Sequence, residues 1–285
     1  MKFSERYVKP VEVLKRDFLD KEGATALCNC FDHLAMWLNQ YDVNCGNRHD
    51  ESYATLEETI WCFFLNQRRD SFYGFNTHKV VATEYLLDDI NEWYRKFDLV
   101  EFSIKCLNNS DPRNRSFQEI VEAFKTMLNS TFKRLNYAYR IVDNQITEIT
   151  DEEEISSIEE ALKQNSTIKT HLSDALKHLS NRPIPDYRNS IKESISSVEV
   201  LCREITGEST LGDALRVWEK KGIKIPTYLK SGIDKLYVYT NDKRPRIRHA
   251  MMDESEVPSF EEAKFMLVAC SAFVNYIQGK RSATE

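Results

Sequence analysis

Helical periodicity fills the second half of the chain and constrains its fold more than any other feature of the sequence. After residue 166, apolar residues recur at the spacing of one helix face, and the breaks fall at Pro185, Gly207 and Gly222. The clearest apolar stripes lie in segments 167–180, 186–206 and 226–239. Amphipathic helices joined by short breaks predict an antiparallel helical bundle.

The last predicted helix, 260–278, is apolar on nearly every face. Ser259 with Glu262 three residues later predicts a capping box at its start. The apolar run is interrupted by Asn275 and is too short to cross a bilayer, so no membrane contact is expected. A helix without a polar face is either central in a bundle or shared with a partner chain.

The first half of the chain is predicted to be helical, with one small hairpin. Helical spacing marks segments 24–39, 56–66, 79–95 and 117–135, and apolar residues flank a turn within 139–149. The turn is expected at Asp143-Asn144-Gln145. Thr150 and Glu153 have the spacing of a capping box, which predicts a helix start. The expected fold is mainly α, with a helical domain over 1–150 and a helical bundle over 151–285.

Charge and composition limit the classes of function. The 285 residues carry a net charge of −6, whereas proteins that coat nucleic acid are usually basic. Any nucleic-acid contact is therefore expected to be local. The eight glycines form neither a G-x-x-x-x-G-K nor a G-x-G-x-x-G pattern, so nucleotide binding through those loops is not expected.

Cysteine and histidine spacing gives no metal site. Seven cysteines and a charged N-terminus without a secretory signal indicate a reducing, cytoplasmic setting. Cys28 and Cys30 lie too close for the usual zinc pair and are expected to be buried thiols. His171 and His178 share a helix face, but no acidic or thiol residue is spaced to complete a site. Neither a metal nor another cofactor is predicted.

The densest positive run in this acidic chain lies between the last two predicted helices. Arg244 and His249 in this run are separated by four residues, a spacing typical of one class of metal-free ribonuclease. Imidazole moves protons near neutral pH, and guanidinium neutralises charge that develops on a phosphate. The pattern therefore predicts Arg244 and His249 as catalytic residues. The residues expected to bind RNA are Lys243, Arg246, Arg248, Arg188 and Lys192.

Simpler interpretations of these cations stay open. The basic run is also compatible with a solvated loop that caps the C-terminal end of the preceding helix. Arg188 and Lys192 fit the polar face of an amphipathic helix as well as they fit a cleft. Spacing alone does not decide which of Arg244, Arg246 and Arg248 faces the phosphate, because a helix start would point them in different directions.

Five stretches of the sequence resemble abortive-infection proteins of the AbiJ type, which are bacterial anti-phage factors. These are Phe3-Ser4-Glu5-Arg6, the hairpin and cap from Tyr139 to Thr150, Pro185 to Ser194, Ile247-Arg248-His249-Ala250, and Ala263 to Val268. The resemblance implies a family-specific N-terminal domain joined to a HEPN-like helical bundle. It also implies a homodimer, since HEPN domains place two motifs across a dimer interface.

HEPN ribonucleases carry an arginine, four to six residues and then a histidine, and Arg244 and His249 match that motif. The position after the arginine is usually polar in active HEPN enzymes, whereas this chain has Pro245. Relatives share Ile-Arg-His more clearly than the earlier arginine, which makes Arg248 a rival to Arg244.

The resulting hypothesis is a metal-independent endoribonuclease of abortive-infection defence. It would cleave tRNA or mRNA by 2′-hydroxyl transesterification after a phage trigger and so act as a growth-arresting toxin. The alternative is a non-catalytic HEPN-like module with a degenerate motif that binds RNA, a nucleotide or a protein. A third hypothesis is a purely structural dimerisation module.

Overall fold

A computed structural model describes residues 14–47, 51–73, 81–164, 166–181, 184–218, 222–241, 247 and 258–282. Within these residues the chain is mainly helical, with one small antiparallel hairpin, which confirms the predicted fold class. The residues group into two compact units, and the division falls between Glu148 and Ile149. No helix in the described ranges is both long and apolar enough to cross a membrane.

The first unit contains six α-helices, a π-helical segment and the hairpin among its described residues. The helices are α1 (Lys21–Cys45), α2 (Glu51–Thr59), α3 (Arg69–Tyr73), α4 (Val81–Leu87), α5 (Trp93–Ser110) and α6 (Arg115–Arg134). The π-helical segment Ile60–Phe64 continues α2, and the strands are β1 (Arg140–Val142) and β2 (Gln145–Thr147).

Every regular element of the second unit, within its described residues, is a helix. Its helices are α7 (Glu152–Leu162), α8 (Ser166–Ser180), α9 (Tyr187–Thr206), α10 (Leu211–Val217), α11 (Thr227–Asn241) and α12 (Phe260–Ser282). The positions of α8, α9, α11 and α12 agree with the helices predicted for this half, to within a few residues at each end.

Helix α1 is fixed at both ends and buries the predicted face. Asp20 caps its start by accepting a hydrogen bond from the Gly23 amide at 2.7 Å, and Gly46 ends it in the left-handed conformation with φ 74°. The buried face includes Leu27, Phe31, Leu34 and Leu38, together with Cys28 and Cys30. This burial confirms the helix and the structural role expected of the two thiols.

Side chains from two helices hold the hairpin in the first unit. Asp143 and Asn144 form the turn with φ 45° and 69°, as the turn sequence predicts. The side chain of Asn129 on α6 accepts the Ile141 amide at 2.7 Å and donates to the Ile141 carbonyl at 3.0 Å. Glu101 on α5 accepts the Ile146 amide at 2.6 Å. These bonds matter because an isolated two-stranded hairpin is marginally stable.

Tyr137 ties the segment before α1 to the residues before β1. Its hydroxyl donates to Asp20 Oδ1 at 2.8 Å and accepts from the Asp20 amide at 3.2 Å. The backbone of Lys15 links the same two segments, because its amide donates to the Asn136 carbonyl at 2.8 Å. The tyrosine ring end passes so close to Gly23 that a Cβ there would lie 2.2 Å from the hydroxyl oxygen.

One predicted helix in the first half is wrong, and one short helix was not predicted. The predicted helix 79–95 is two helices, α4 and α5, with Ile90 87% exposed between them. Asp88 accepts the Ile90 amide at 3.0 Å, and Asn91 donates to the Tyr85 carbonyl at 3.0 Å, so side chains satisfy backbone groups that a helix would pair. The short helix α3 lies outside the helical segments predicted for this half.

The predicted start of α7 is displaced by one residue. Asp151 rather than Thr150 caps the helix, and its carboxylate accepts the amides of Glu153 and Glu154 at 3.0 and 2.9 Å. The carboxylate of Asp151 accepts hydrogen bonds from two amides, and its negative charge interacts favourably with the positive end of the helix dipole. The hydroxyl of Thr150 lacks this charge, which explains why Asp151 is the cap.

Helix α12 is central in the second unit, which is one of the two positions expected for a helix without a polar face. It packs against α7, α8 and α9. Its predicted capping box is present, because Glu262 Oε2 accepts the Ser259 amide at 2.8 Å and Ser259 Oγ accepts the Glu262 amide at 3.4 Å. Lys264 on its first turns reaches Glu154 on α7 at 3.0 Å.

Helix α2 buries a carboxyl group inside the first unit. Glu57 is 2% exposed, and its carboxyl accepts the Ala82 amide at the start of α4 at 3.2 Å. Burial raises the pKa of Glu57 to about 7, against the opposing effects of the nearby Tyr53 hydroxyl and the Ala82 amide. This carboxyl therefore changes charge near neutral pH.

Replacing Gly23 with alanine should destabilise the chain by about 1–3 kcal/mol, because the new methyl group overlaps the Tyr137 hydroxyl and the Leu19 side chain. Urea unfolding followed by circular dichroism measures the loss. Gly212→Ala is the matched control, since no heavy atom lies within 4 Å of the Cβ that it adds on α10. Equal midpoints for the two variants would contradict the close packing at Gly23.

Replacing Glu57 with glutamine should flatten the pH dependence of stability. The pKa of Glu57 is raised on folding, so its stabilising contribution is greatest below 4.5, the ordinary value, and is lost as pH rises towards about 7. As pH rises, the free energy of unfolding of the variant should therefore increase relative to that of the unmodified protein. The expected relative increase between pH 5 and 8 is on the order of 2 kcal/mol. Denaturant unfolding across that range measures it, with exposed Glu119→Gln as control. Parallel curves for the Glu57 variant and the unmodified protein would refute this.

Candidate functional site

The predicted catalytic pair, Arg244 and His249, lies outside the described residues, and so do Lys243, Arg246 and Arg248. The structure does describe Ile247, in the middle of this basic run, which is 2% exposed. It stands in the segment that joins α11 to α12. One position of the basic run is therefore anchored by a buried apolar side chain.

The two other residues predicted to bind RNA, Arg188 and Lys192, lie together on α9. Asp186 caps this helix by accepting the Asn189 amide at 3.0 Å, and Gly207 ends it with φ 79°, as predicted. Residues four apart share one side of a helix, so the structure brings the two cations together. Lys192 is exposed and Arg188 is partly buried.

A cluster of three polar side chains forms where α8 packs on α9, and we call it the His171 cluster. The cluster consists of His171 on α8 with Glu193 and Lys192 on α9. His171 Nδ1 lies 2.7 Å from Glu193 Oε2, and Lys192 Nζ lies 3.2 Å from Glu193 Oε1. Each carboxylate oxygen therefore has its own nitrogen partner.

Sequence spacing missed this pairing. His171 appeared to lack an acidic partner because Glu193 is 22 residues away and on another helix. No local pattern connects the two residues, whereas the apolar stripes of α8 and α9 indicate only that the helices pack. In the part of the chain that the structure describes, no group of three His, Cys, Asp or Glu side chains converges in a way that could hold a metal ion.

The charges of the cluster fix how the imidazole is held. Burial acts to raise the pKa of Glu193, but hydrogen bonds from His171 and Lys192 outweigh it and hold that pKa below its usual value. Glu193 is therefore ionised at neutral pH and can only accept, so the Nδ1 of His171 carries the hydrogen that it donates. The other ring nitrogen, Nε2, makes no hydrogen bond within the described residues.

This arrangement is suited to proton transfer or anion binding. The side chain of His171 is 30% exposed, whereas that of Glu193 is 15% exposed. A partly buried carboxylate that holds one ring nitrogen sets the tautomer and orientation of the imidazole, and the other nitrogen stays available to a ligand. Lys192, 47% exposed, adds a positive charge beside it.

Comparison with known proteins places the first half of the chain in a described family. A family model described as AbiJ N-terminal domain 4 matches residues 1–164. The match covers the first unit and continues through α7 of the second unit. Searches of curated proteins and of solved structures found no match.

Replacing Glu193 with glutamine should reduce stability at neutral pH but not in acid. The pKa of Glu193 is lowered on folding, so its contribution is present above 4.5, its ordinary value, and is lost as pH falls through the folded-state pKa. Because the cluster is partly open to solvent, we expect a loss below about 1 kcal/mol at pH 7. Unfolding at pH 7 and pH 3 measures it, with Glu160→Gln, in an exposed ion pair with Lys163, as control. A loss that persists unchanged at pH 3 would contradict the assignment.

Proposed function

This chain belongs to the AbiJ N-terminal domain 4 family, and from that premise we propose that it is an anti-phage endoribonuclease whose second unit is a HEPN-like domain. The observation that carries the proposal is the order of two regions along the chain. A region of an abortive-infection family is joined to an all-helical unit in which α11 and α12 flank the segment with Arg244 and His249. The burial of Ile247 supports it, because catalytic groups need a fixed backbone.

The proposed reaction uses the RNA's own 2′-hydroxyl as the nucleophile. His249 takes part in moving the proton from that hydroxyl or to the leaving 5′-oxygen. Arg244, with Arg246 beside it, neutralises the charge that develops on the phosphate. The products are a 2′,3′-cyclic phosphate and a 5′-hydroxyl end, and no step requires a metal-activated water.

The remaining parts of the proposal concern control and context. The protein works as a homodimer in the cytoplasm and stays inactive until infection. The first unit senses a phage trigger or selects tRNA or mRNA, and cleavage then stops growth. The local basic run suits this role in a chain of net charge −6, because it offers RNA one positive site.

Incubation of the purified protein with total bacterial RNA in EDTA tests the activity. We expect new 5′-hydroxyl ends, and a decrease of about 100-fold or more in His249→Ala, since a proton-transfer group contributes at least that factor. His33→Ala is the control, because His33 is an exposed histidine on α1. Arg244→Gln compared with Arg248→Gln shows which arginine the reaction needs.

Two outcomes would replace this proposal with the alternative. If the protein retains RNA on a column but neither it nor the variants cut it, the second unit is a binding module with a degenerate motif. If His249→Ala still protects cells against phage, protection does not depend on cleavage at this site.

A further inference from the structure

We propose that Glu57 makes the docking of α4 onto α1 sensitive to pH: the helix stays docked while this carboxyl is protonated and is released when the carboxyl ionises. This device lies entirely in the first unit and does not rest on the proposed function. It gives a conformational role to a buried acid that the proposed reaction does not use.

Helix α4 depends on its neighbours for its conformation. It has seven residues, and a helix that short is not stable alone in water. Val81, Ala82 and Leu86 on α4 are 2% exposed or less, and the helix packs mainly against α1. Its conformation therefore depends on the contacts that keep it docked.

Glu57 on α2 secures the start of α4. Its carboxyl accepts the Ala82 amide at 3.2 Å, and the Val81 amide also donates to it. The first amides of a helix have no partner within that helix, so the carboxyl satisfies donors that burial would otherwise leave unpaired. A protonated carboxyl keeps an acceptor oxygen for these amides, so the docked arrangement is compatible with a neutral Glu57.

Ionisation makes the docked arrangement costly. The groups that act on the Glu57 charge include the Tyr53 hydroxyl, the two α4 amides and the carboxylate of Glu84, none of which is a cation. The hydroxyl and the amides favour the ionised form, but burial outweighs them and raises the pKa of Glu57 to about 7. An ionised Glu57 is therefore held inside the unit at a cost, and release of α4 removes that cost by admitting water to the carboxylate.

The titratable groups on the other packed helices do not compensate this charge. Asp32 and Cys28 on α1 act on Tyr53, and burial raises the pKa of Cys28 to about 11, so its thiol is neutral. Lys96 on α5 is buried and acts on Cys28, and among the described residues no ion pair joins it to Glu57. The negative charge of Asp32 opposes the positive charge of Lys96.

Amide hydrogen exchange of the full-length protein, followed by mass spectrometry, tests the release of α4. After correction for the intrinsic pH dependence of exchange, the open fraction of α4 should rise about tenfold from pH 6 to pH 8. The reason is that the pKa of Glu57 is about 7 when α4 is docked and 4.5 in the ordinary, solvated state, so rising pH favours release. Glu57→Gln should abolish this rise, whereas Glu119→Gln, at an exposed position on α6, should retain it.

Two outcomes of the exchange experiment would overturn the proposal. One is an open fraction of α4 that stays constant from pH 6 to pH 8 in the unmodified protein, which decides the matter even if Glu57→Gln does not fold. The other is an equal open fraction for the amides of α4 and α6, because α4 would then open only when the whole unit unfolds.

Alkylation of Cys28 gives a second readout. Cys28 is 7% exposed, and its Sγ donates to the Thr83 carbonyl of α4 at 3.8 Å, so a thiol reagent reaches it when α4 is released. The ratio of its alkylation rate in the unmodified protein to that in Glu57→Gln should rise about tenfold from pH 6 to pH 8. The intrinsic reactivity of the thiol cancels in this ratio, and exposed Cys45 is the internal control, with a ratio near one throughout. A Cys28 ratio that does not change with pH would overturn the proposal.

Discussion

The apolar packing between α8 and α9 is the interaction on which the account of the second unit depends. Leu172, Leu176 and Leu179 on α8, and Ile191, Ile195 and Val198 on α9, are fully buried. His171 directly precedes the first of these leucines, and Glu193 lies between the first two apolar residues of α9. Burial of the apolar faces therefore leaves the histidine and the carboxylate at one edge of the contact, 2.7 Å apart. The position of this histidine–carboxylate pair is a consequence of how the two helices pack.

The first unit is organised by a different constraint, which is the need to secure a short hairpin. Asn129 and Glu101 give the hairpin backbone the partners that a third strand would otherwise supply. Tyr137 connects the residues before the hairpin to the start of α1. Within the same unit, burial raises the pKa of Glu57 to about 7, so this carboxyl changes charge near neutral pH.

Most of the helices could be predicted from sequence because their signals are local. The caps at Asp186 and Ser259, the left-handed ends at Gly207 and the turn at Asp143 each depend on residues within a few positions of one another. The wrong predictions have two causes: side chains that compete for backbone hydrogen bonds, and partners that are far apart in the sequence. Side-chain hydrogen bonds ended a helix near Asp88, and an aspartate displaced a threonine as the cap of α7. The partner of His171 is on another helix, so no spacing rule finds it. The role of Arg244 and His249 comes from their motif and family resemblance and stays a prediction.

Under the proposed function, protection against phage depends on RNA cleavage at His249. Mapping of 5′-hydroxyl RNA ends in infected cells tests it most directly, with cells that carry either the unmodified protein or His249→Ala at equal levels. We expect new ends that appear only after infection, only with the unmodified protein, and together with growth arrest. Growth arrest without new ends, or equal protection by His249→Ala, would contradict it.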